Sequence, residues 1–328
     1  MFKTWMTDEF KIKYPIILAP MFLISNFEMM KAASEAGIMG CLPALNFRNP
    51  EEFQAAARNF KKNSTGAWGV NLIVNKSNIY LKKQIDICAE EKPNFIITSL
   101  GSPKDVIAKL KPLGIKIFCD VVDLSYSKKV EEMGADALIA VNSGAGGHAG
   151  DIPAGILIPL LKLNCKLPVI SAGSVGNGAG LLSILSLGAD GISVGSPFIA
   201  TKESPVNKEY KQACVDYGAG DIVFTTKISG TPCSVINTPY VKSIGTEQNF
   251  LERYLNKNKQ LKKYAKMLTS YKGMKLMEKA AFSASYKTVW CAGPSIEFTK
   301  EISSVKKVVD LMIEEFVLAK KELDLKVL

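Results

Sequence analysis

Eight short runs of β-branched and apolar residues recur along the first 200 residues of this chain, and a stretch of helical period separates most neighbours. The runs occupy 15–20, 38–44, 68–73, 95–100, 116–121, 137–142, 168–172 and 191–195. They are continuous rather than alternating, which suits parallel strands covered on both faces. The helical stretches fall at 26–36, 50–60, 78–91, 103–111, 125–133, 154–163 and 178–187. The first begins at Asn26 and stops at Gly37, and the second opens on Pro50, Glu51 and Glu52, as a helix start should. Two end in one phrase, Met133-Gly134-Ala135-Asp136 and Leu187-Gly188-Ala189-Asp190, where glycine closes the helix and the next strand starts at once. An open sheet of this size needs a topological switch, and nothing in the even rhythm marks one. The pattern therefore predicts an α/β fold, a closed (β/α)8 TIM barrel over 1–204.

Beyond 204 the rhythm stops. Residues 205–245 read as an irregular excursion, 247–277 as a basic helical stretch and 301–323 as an amphipathic final helix. The expectation is a mostly helical C-terminal extension: a lid or substrate-side insertion over 205–290, then a segment and helix over 291–328 returning to the barrel. The chain carries a net charge of +10, and from Leu251 to Lys287 ten Lys/Arg stand against two Glu. A solvated helical face explains such a run first and a surface for phosphate-bearing ligands second. Nucleic acid is disfavoured, because no platform of stacking aromatics interleaves the charge.

Other function classes fall away on composition. Seven scattered cysteines without a Cys-x-x-Cys pair argue against a disulfide framework and a zinc site, and a single histidine excludes a His-rich metal centre. No apolar run approaches the roughly 18 residues of a membrane span, and the N-terminal residues lack a signal-peptide pattern. A cytoplasmic protein acting on a small molecule, without a membrane or nucleic-acid partner and with a homodimer open to it, is the expectation.

Barrels of this kind place their ligand at the C-terminal ends of the strands. There the sequence reads Ser171-Ala172-Gly173-Ser174 after the seventh run and Gly195-Ser196 after the eighth. Glycines at those two ends let backbone N–H groups converge on a phosphate. After the sixth run comes Asn142-Ser143-Gly144-Ala145-Gly146-Gly147-His148-Ala149-Gly150. It fits a dinucleotide G-x-G-x-x-A pattern only weakly, since it follows the sixth strand and no acidic residue stands about twenty residues on. His148, the only histidine, is the sharper feature: among small residues on the active face it reads as a general base or orienting donor. Asn71, polar within an apolar run, needs either an internal hydrogen bond or a ligand. Asp120 and Asp123, at the end of the fifth run, are further candidates that rank lower, because a solvent-facing loop explains them adequately.

Four phrases together resemble the nitronate monooxygenase family, formerly 2-nitropropane dioxygenases, which includes enoyl-ACP reductase II. They are Pro15-Ile-Ile-Leu-Ala-Pro-Met21, Gly144-Ala-Gly-Gly-His-Ala-Gly150, Ser171-Ala-Gly-Ser174 and Gly188-Ala-Asp-Gly-Ile-Ser-Val-Gly-Ser-Pro-Phe-Ile-Ala-Thr-Lys-Glu-Ser204. The resemblance implies non-covalent FMN, with its phosphate on Ser171, Gly173, Ser174, Gly195 and Ser196. It implies the ring system against Ala19, Pro20 and Met21, with Asn71, Ala145, Gly146 and Gly147 close by and His148 facing the substrate. Many relatives carry an acid where Gly144 stands, and a glutamine where Trp290-Cys-Ala-Gly-Pro-Ser295 has Pro294. The activity implied first is oxidation of alkyl nitronates by O2 to carbonyl compounds and nitrite. The alternative is NAD(P)H-dependent reduction of an enoyl thioester, with an acyl carrier or CoA thioester as partner.

Overall fold

The computed structural model describes residues 2–63, 66–227, 232–247 and 289–327. The basic stretch 251–287 and nearly all of the expected helix 247–277 lie outside the described residues. Eight parallel strands close into a barrel in sequence order: β1 Ile16–Leu18, β2 Met39–Pro43, β3 Trp68–Ile73, β4 Phe95–Ser99, β5 Lys116–Val121, β6 Ala137–Val141, β7 Val169–Ala172 and β8 Gly191–Val194. Pairing of Ile16 with Ile192 joins the last strand to the first. The TIM barrel read from the sequence is the fold observed. The first strand is shorter than its apolar run, because the ladder ends before Pro20, which has no N–H to give.

Helices α1 Trp5–Phe10, α2 Phe27–Glu35, α3 Pro50–Asn63, α4 Leu81–Glu91, α5 Lys104–Leu110, α6 Leu124–Glu132, α7 Ala154–Asn164 and α8 Gly178–Ser186 precede or connect the strands. Asn26, Asp123 and Asn177 cap α2, α6 and α8 by accepting the N–H of Met29, Tyr126 and Gly180. Both repeated Gly-Ala-Asp phrases do the same work at the bottom of the barrel. Gly134 and Gly188 take positive φ after their helices, and the following aspartates tie neighbouring strands. Asp136 accepts from Ile117 N at 2.9 Å and Asp190 from Val169 N at 3.0 Å. Asn94 holds Trp68 N in the same manner at 3.0 Å.

The core has two layers. Alternate strand residues, among them Ile17, Met39, Phe95, Ile97, Phe118, Ile139 and Ile170, fill the lumen. Helix α1 plugs its lower end: Phe10 meets Phe95 and Phe118 edge-on, and those two rings stack at 5.0 Å. The opposite parity of the strands faces the helices in a larger cluster running from Ile16 to Met312.

After β8 the chain makes a short turn of helix, α9 Ser196–Ile199, then α10 Lys208–Asp216, an antiparallel pair β9 Ile222–Thr225 and β10 Cys233–Ile236, and α11 Pro239–Ile244. The excursion expected over 205–245 is thus partly regular. Its strands are only four residues long, too short for their period to show against the surrounding Gly, Pro and Thr. A final helix, Val305–Asp324, packs its Val305, Val309 and Met312 face onto the barrel beside α8, matching the amphipathic stretch expected at 301–323. The approach is close: a Cβ at Gly178 would lie 2.0 Å from Phe316 N and 2.2 Å from Met312 O. Gly178→Ala is therefore expected to push this helix outward, at about 1–3 kcal/mol for overpacking. A thermal melt reads this as a midpoint lower by several degrees, and an unchanged midpoint would contradict the packing.

Candidate functional site

The site is built on the loop after β6. Asn142 is fully buried at its start, and all four hydrogen-bonding positions of its carboxamide are used. Its Oδ1 accepts from Gly144 N at 2.9 Å and from Ser174 Oγ at 2.7 Å. Its Nδ2 donates to Ser171 Oγ at 3.1 Å and Gly173 O at 3.3 Å. One side chain thereby locks the β6 loop to the β7 loop. Ser174 N adds a bond to Gly144 O at 3.3 Å. Ser174 itself sits at φ 62 and Gly173 at φ 101, so the β7 loop turns sharply under the β6 loop.

A second set of contacts fixes the far side of that loop. Ser234 in β10 donates its N–H to Gly147 O at 2.9 Å, and its hydroxyl lies 3.1 Å from Ala145 O and 3.0 Å from Ala292 O. The returning segment 289–293 closes the arrangement, with Gly293 N donating to Ser196 Oγ at 2.8 Å. The backbones of Gly146 and Gly293 run in contact there. Trp290 stacks on Tyr210 of α10, centroids 5.5 Å apart, and the Tyr210 hydroxyl donates to Cys291 O. His148 is held at the end of a loop braced on both sides.

His148 is exposed, yet the protein around it partly desolvates its imidazole. Desolvation lowers its pKa below the usual 6.5, so its imidazole is neutral at pH 7. After β1, Ser25 Oγ donates to Ala19 O at 2.8 Å and accepts from Met21 N at 2.9 Å, shaping the turn Ala19-Pro20-Met21. Met21 reaches across to Gly195, where a Cβ would meet its sulfur at 3.2 Å.

Asn71 is nearly buried in β3. Its register partner is Ile97, so it continues the lumen-facing parity at the upper end of the barrel. Its Nδ2 donates to Ile97 O at 3.2 Å and to Ser99 Oγ at 2.7 Å. Ser99 in turn donates to Asp120 Oδ2 at 2.5 Å. Asp120 is therefore no loop residue. It follows Phe118 by two positions in β5, faces the lumen, and its carboxyl is pushed up to about 6 by burial, against a smaller lowering from Ser99. Asp123 lies outside this group and caps α6.

The expected phosphate residues divide. Ser171 is fully buried beneath the loops with its hydroxyl on Asn142, and the Ser174 hydroxyl is likewise engaged. The N–H groups of Gly173 and Ser196 find no acceptor among the described residues, as suits donors aimed at an anion. Asn142 and Ser234, which organise the loop, went unranked in the sequence. Asn142 was legible as a polar residue ending an apolar strand before a glycine-rich loop; Ser234 sits in a segment without a readable period. Among the described residues no group of His, Cys, Asp and Glu could hold a metal ion, and no helix is long and apolar enough to cross a membrane.

A TIM barrel whose β6 and β7 loops, returning segment and lone imidazole meet at the C-terminal mouth is of the class that binds one small ligand there. The chain belongs to the nitronate monooxygenase family, whose profile matches residues 45–315, and it is an oxidoreductase of that family. It is 28% identical over 242 residues to the (3aS,4S,5R,7aS)-5-hydroxy-7a-methyl-1-oxo-octahydro-1H-indene-4-carboxyl-CoA dehydrogenase of Rhodococcus jostii, covering 74% of this chain and 68% of that protein. It is also 28% identical over 275 residues to a nitronate monooxygenase of Pseudomonas aeruginosa, covering 69% and 78% respectively. The solved structure of FabK from Thermotoga maritima superposes with a TM-score of 0.87 at 25% identity, covering 100% of both chains.

Proposed function

We propose that this protein is an FMN-dependent oxidase of alkyl nitronates, turning them with O2 into carbonyl compounds and nitrite. The observation that carries the reading is His148, a neutral imidazole braced at the mouth of a barrel of this family. The chain's own groups fit FMN. Gly173 and Ser196 would supply N–H donors for the phosphate, since neither meets an acceptor among the described residues. Ala19, Pro20 and Met21 give an apolar wall for the ring, beside the Ala145-Gly146-Gly147 backbone. Asn71 supplies an acceptor, since both its Nδ2 bonds are spent inside the barrel. FMN would supply the redox chemistry, taking electrons from the nitronate and passing them to O2. His148 would take the proton from the α-carbon of a neutral nitroalkane, or donate an N–H to a nitronate oxygen and so orient it. The braced β6 loop holds that imidazole in place without reorganisation.

A second reading is NAD(P)H-dependent reduction of an enoyl thioester. It is favoured by the full-length likeness to FabK and by the similarity to a CoA-thioester dehydrogenase. The basic stretch 251–287 would then meet an acyl carrier or the phosphates of CoA.

Purified protein is expected to show visible flavin absorbance, natively or after reconstitution with FMN, and to consume O2 with propyl-2-nitronate. A colourless protein that cannot take up FMN would end both readings. Rapid bleaching by NADH or NADPH, with recovery on crotonyl thioester, would replace the first by the second.

A further inference from the structure

We propose that Asp120 is a positioning residue of the ligand site, acting through Ser99 to fix Asn71 so that its carboxamide oxygen is presented to the flavin ring. The inference rests on the flavin reading above and concerns a carboxylate to which that reading gives no role. Three polar side chains on adjacent strands form a single chain in the upper lumen: Asn71 Nδ2 to Ser99 Oγ at 2.7 Å, and Ser99 Oγ to Asp120 Oδ2 at 2.5 Å. Most other groups at that parity are apolar; Ser193, paired with Ile17, is a further buried polar one, and it is no carboxylate. A carboxyl there costs desolvation unless it is bonded, and Ser99 supplies that bond.

The direction of the chain follows from what each group can do. An ionised carboxylate only accepts, so Ser99 must donate to it. Its oxygen is then left to accept from Asn71, and Ile97 O takes the other Nδ2 proton at 3.2 Å. Asn71 has one orientation under those conditions, with Oδ1 turned away as an acceptor for a ring N–H. Protonated Asp120 can itself donate to Ser99, whose hydroxyl is then released to turn elsewhere. The polarity of the chain is lost at that point.

Asp120 titrates alone in this setting. The thiols of Cys41 on β2 and Cys119 on its own strand and the phenol of Tyr126 on α6 all sense it. Burial raises each of them, Cys119 to about 12, so none changes charge between pH 5 and 8. Asp120, at about 6, changes within that window. Its ionised form prevails above pH 6, so Asn71 is oriented by both Ser99 and Ile97 O there, and the Ser99 contribution weakens as pH falls.

The test is FMN affinity, measured by quenching of flavin fluorescence from pH 5 to 8 in wild type, Asp120→Asn and Ser99→Ala. Asparagine at 120 still accepts from Ser99 and does not titrate. FMN's own phosphate and His148 titrate alike in all three proteins, so the ratio of dissociation constants isolates Asp120. Relative to Asp120→Asn, the wild-type constant is expected to rise roughly fivefold between pH 7.5 and pH 5, the worth of one hydrogen bond. Ser99→Ala is expected to bind more weakly at every pH and to lack that rise; it carries the test if Asp120→Asn does not fold. A wild type that binds FMN with a flat ratio overturns the positioning role and leaves the flavin reading intact. A wild type that binds no FMN overturns both.

Discussion

Gly173→Ala is expected to lose about 3 kcal/mol of stability and at least tenfold in FMN affinity. A Cβ at that position would lie 2.4 Å from Ala145 N and 2.7 Å from both Ala145 Cα and Asn142 Oδ1. None of these is the end of a flexible side chain. Ala145 is backbone in the β6 loop, and Asn142 is held by four hydrogen bonds. The clash would force apart the two loops that shape the mouth. Residue 173 also sits at φ 101, where a side chain adds roughly 1–3 kcal/mol of backbone strain. Gly147→Ala separates the two causes. Gly147 has φ 72, but nothing lies within 4 Å of its Cβ position, so it should lose only about 1 kcal/mol and keep its affinity for FMN. Urea unfolding of both variants, with FMN titration at low denaturant, reads the difference. Equal losses would mean that backbone strain alone governs these loops and that the packing of Gly173 against Asn142 matters little.

The barrel was legible because its signals are local and repeated. Each strand is buried on both faces, so its apolar run is continuous, and several helices stop at a glycine in the left-handed region. Gly134 and Gly188 show this at φ 95 and 98. The Gly-Ala-Asp phrase announced helix ends; that its aspartates also tie the neighbouring strands depends on contacts about twenty residues away. β9 and β10 were not legible because their pairing to each other and to Gly147 is non-local, and four residues carry too little period to betray a strand.

The site was legible in its loops and less so beneath them. His148, Gly173 and Ser196 stand out as residues whose types are odd for their places. Asp120 was misjudged as solvent-facing because a run boundary cannot say which residue is the last to point inward. The register pairing of Phe118 with Ala137 and of Asp120 with Ile139 decides that, and it places the carboxylate in the lumen. Ser171 shows the reverse error of emphasis: a serine at a phosphate loop invites a ligand role, whereas here its hydroxyl is buried under Asn142. Sequence motifs mark where a ligand belongs, while the hydrogen-bond bookkeeping of buried polar groups decides which atoms remain to meet it.

His148→Ala is expected to lower turnover of a neutral nitroalkane by roughly 10²–10⁴-fold, the usual worth of a positioned general base. With the preformed nitronate no proton has to be removed, and only the orienting bond is lost, so the fall should be about tenfold. Full retention of nitronate turnover would remove His148 from the site chemistry altogether. The pH profile carries the sign. Burial lowers the His148 pKa from 6.5, so the neutral base predominates at pH 7 and is lost as pH falls through that lowered value. Wild-type turnover of the nitroalkane should therefore rise with pH to a plateau, with its midpoint below that of a free imidazole, and the variant's profile should lack that limb. The same shift bears on folding. Near and below pH 6.5 the unfolded chain binds the proton more readily than the folded one, so His148 favours unfolding progressively as pH drops there. A nitroalkane rate that instead declines as pH rises through this range would mean that the imidazolium is the working form. His148 would then serve to hold a bound anion, and the proton would have to leave by another group.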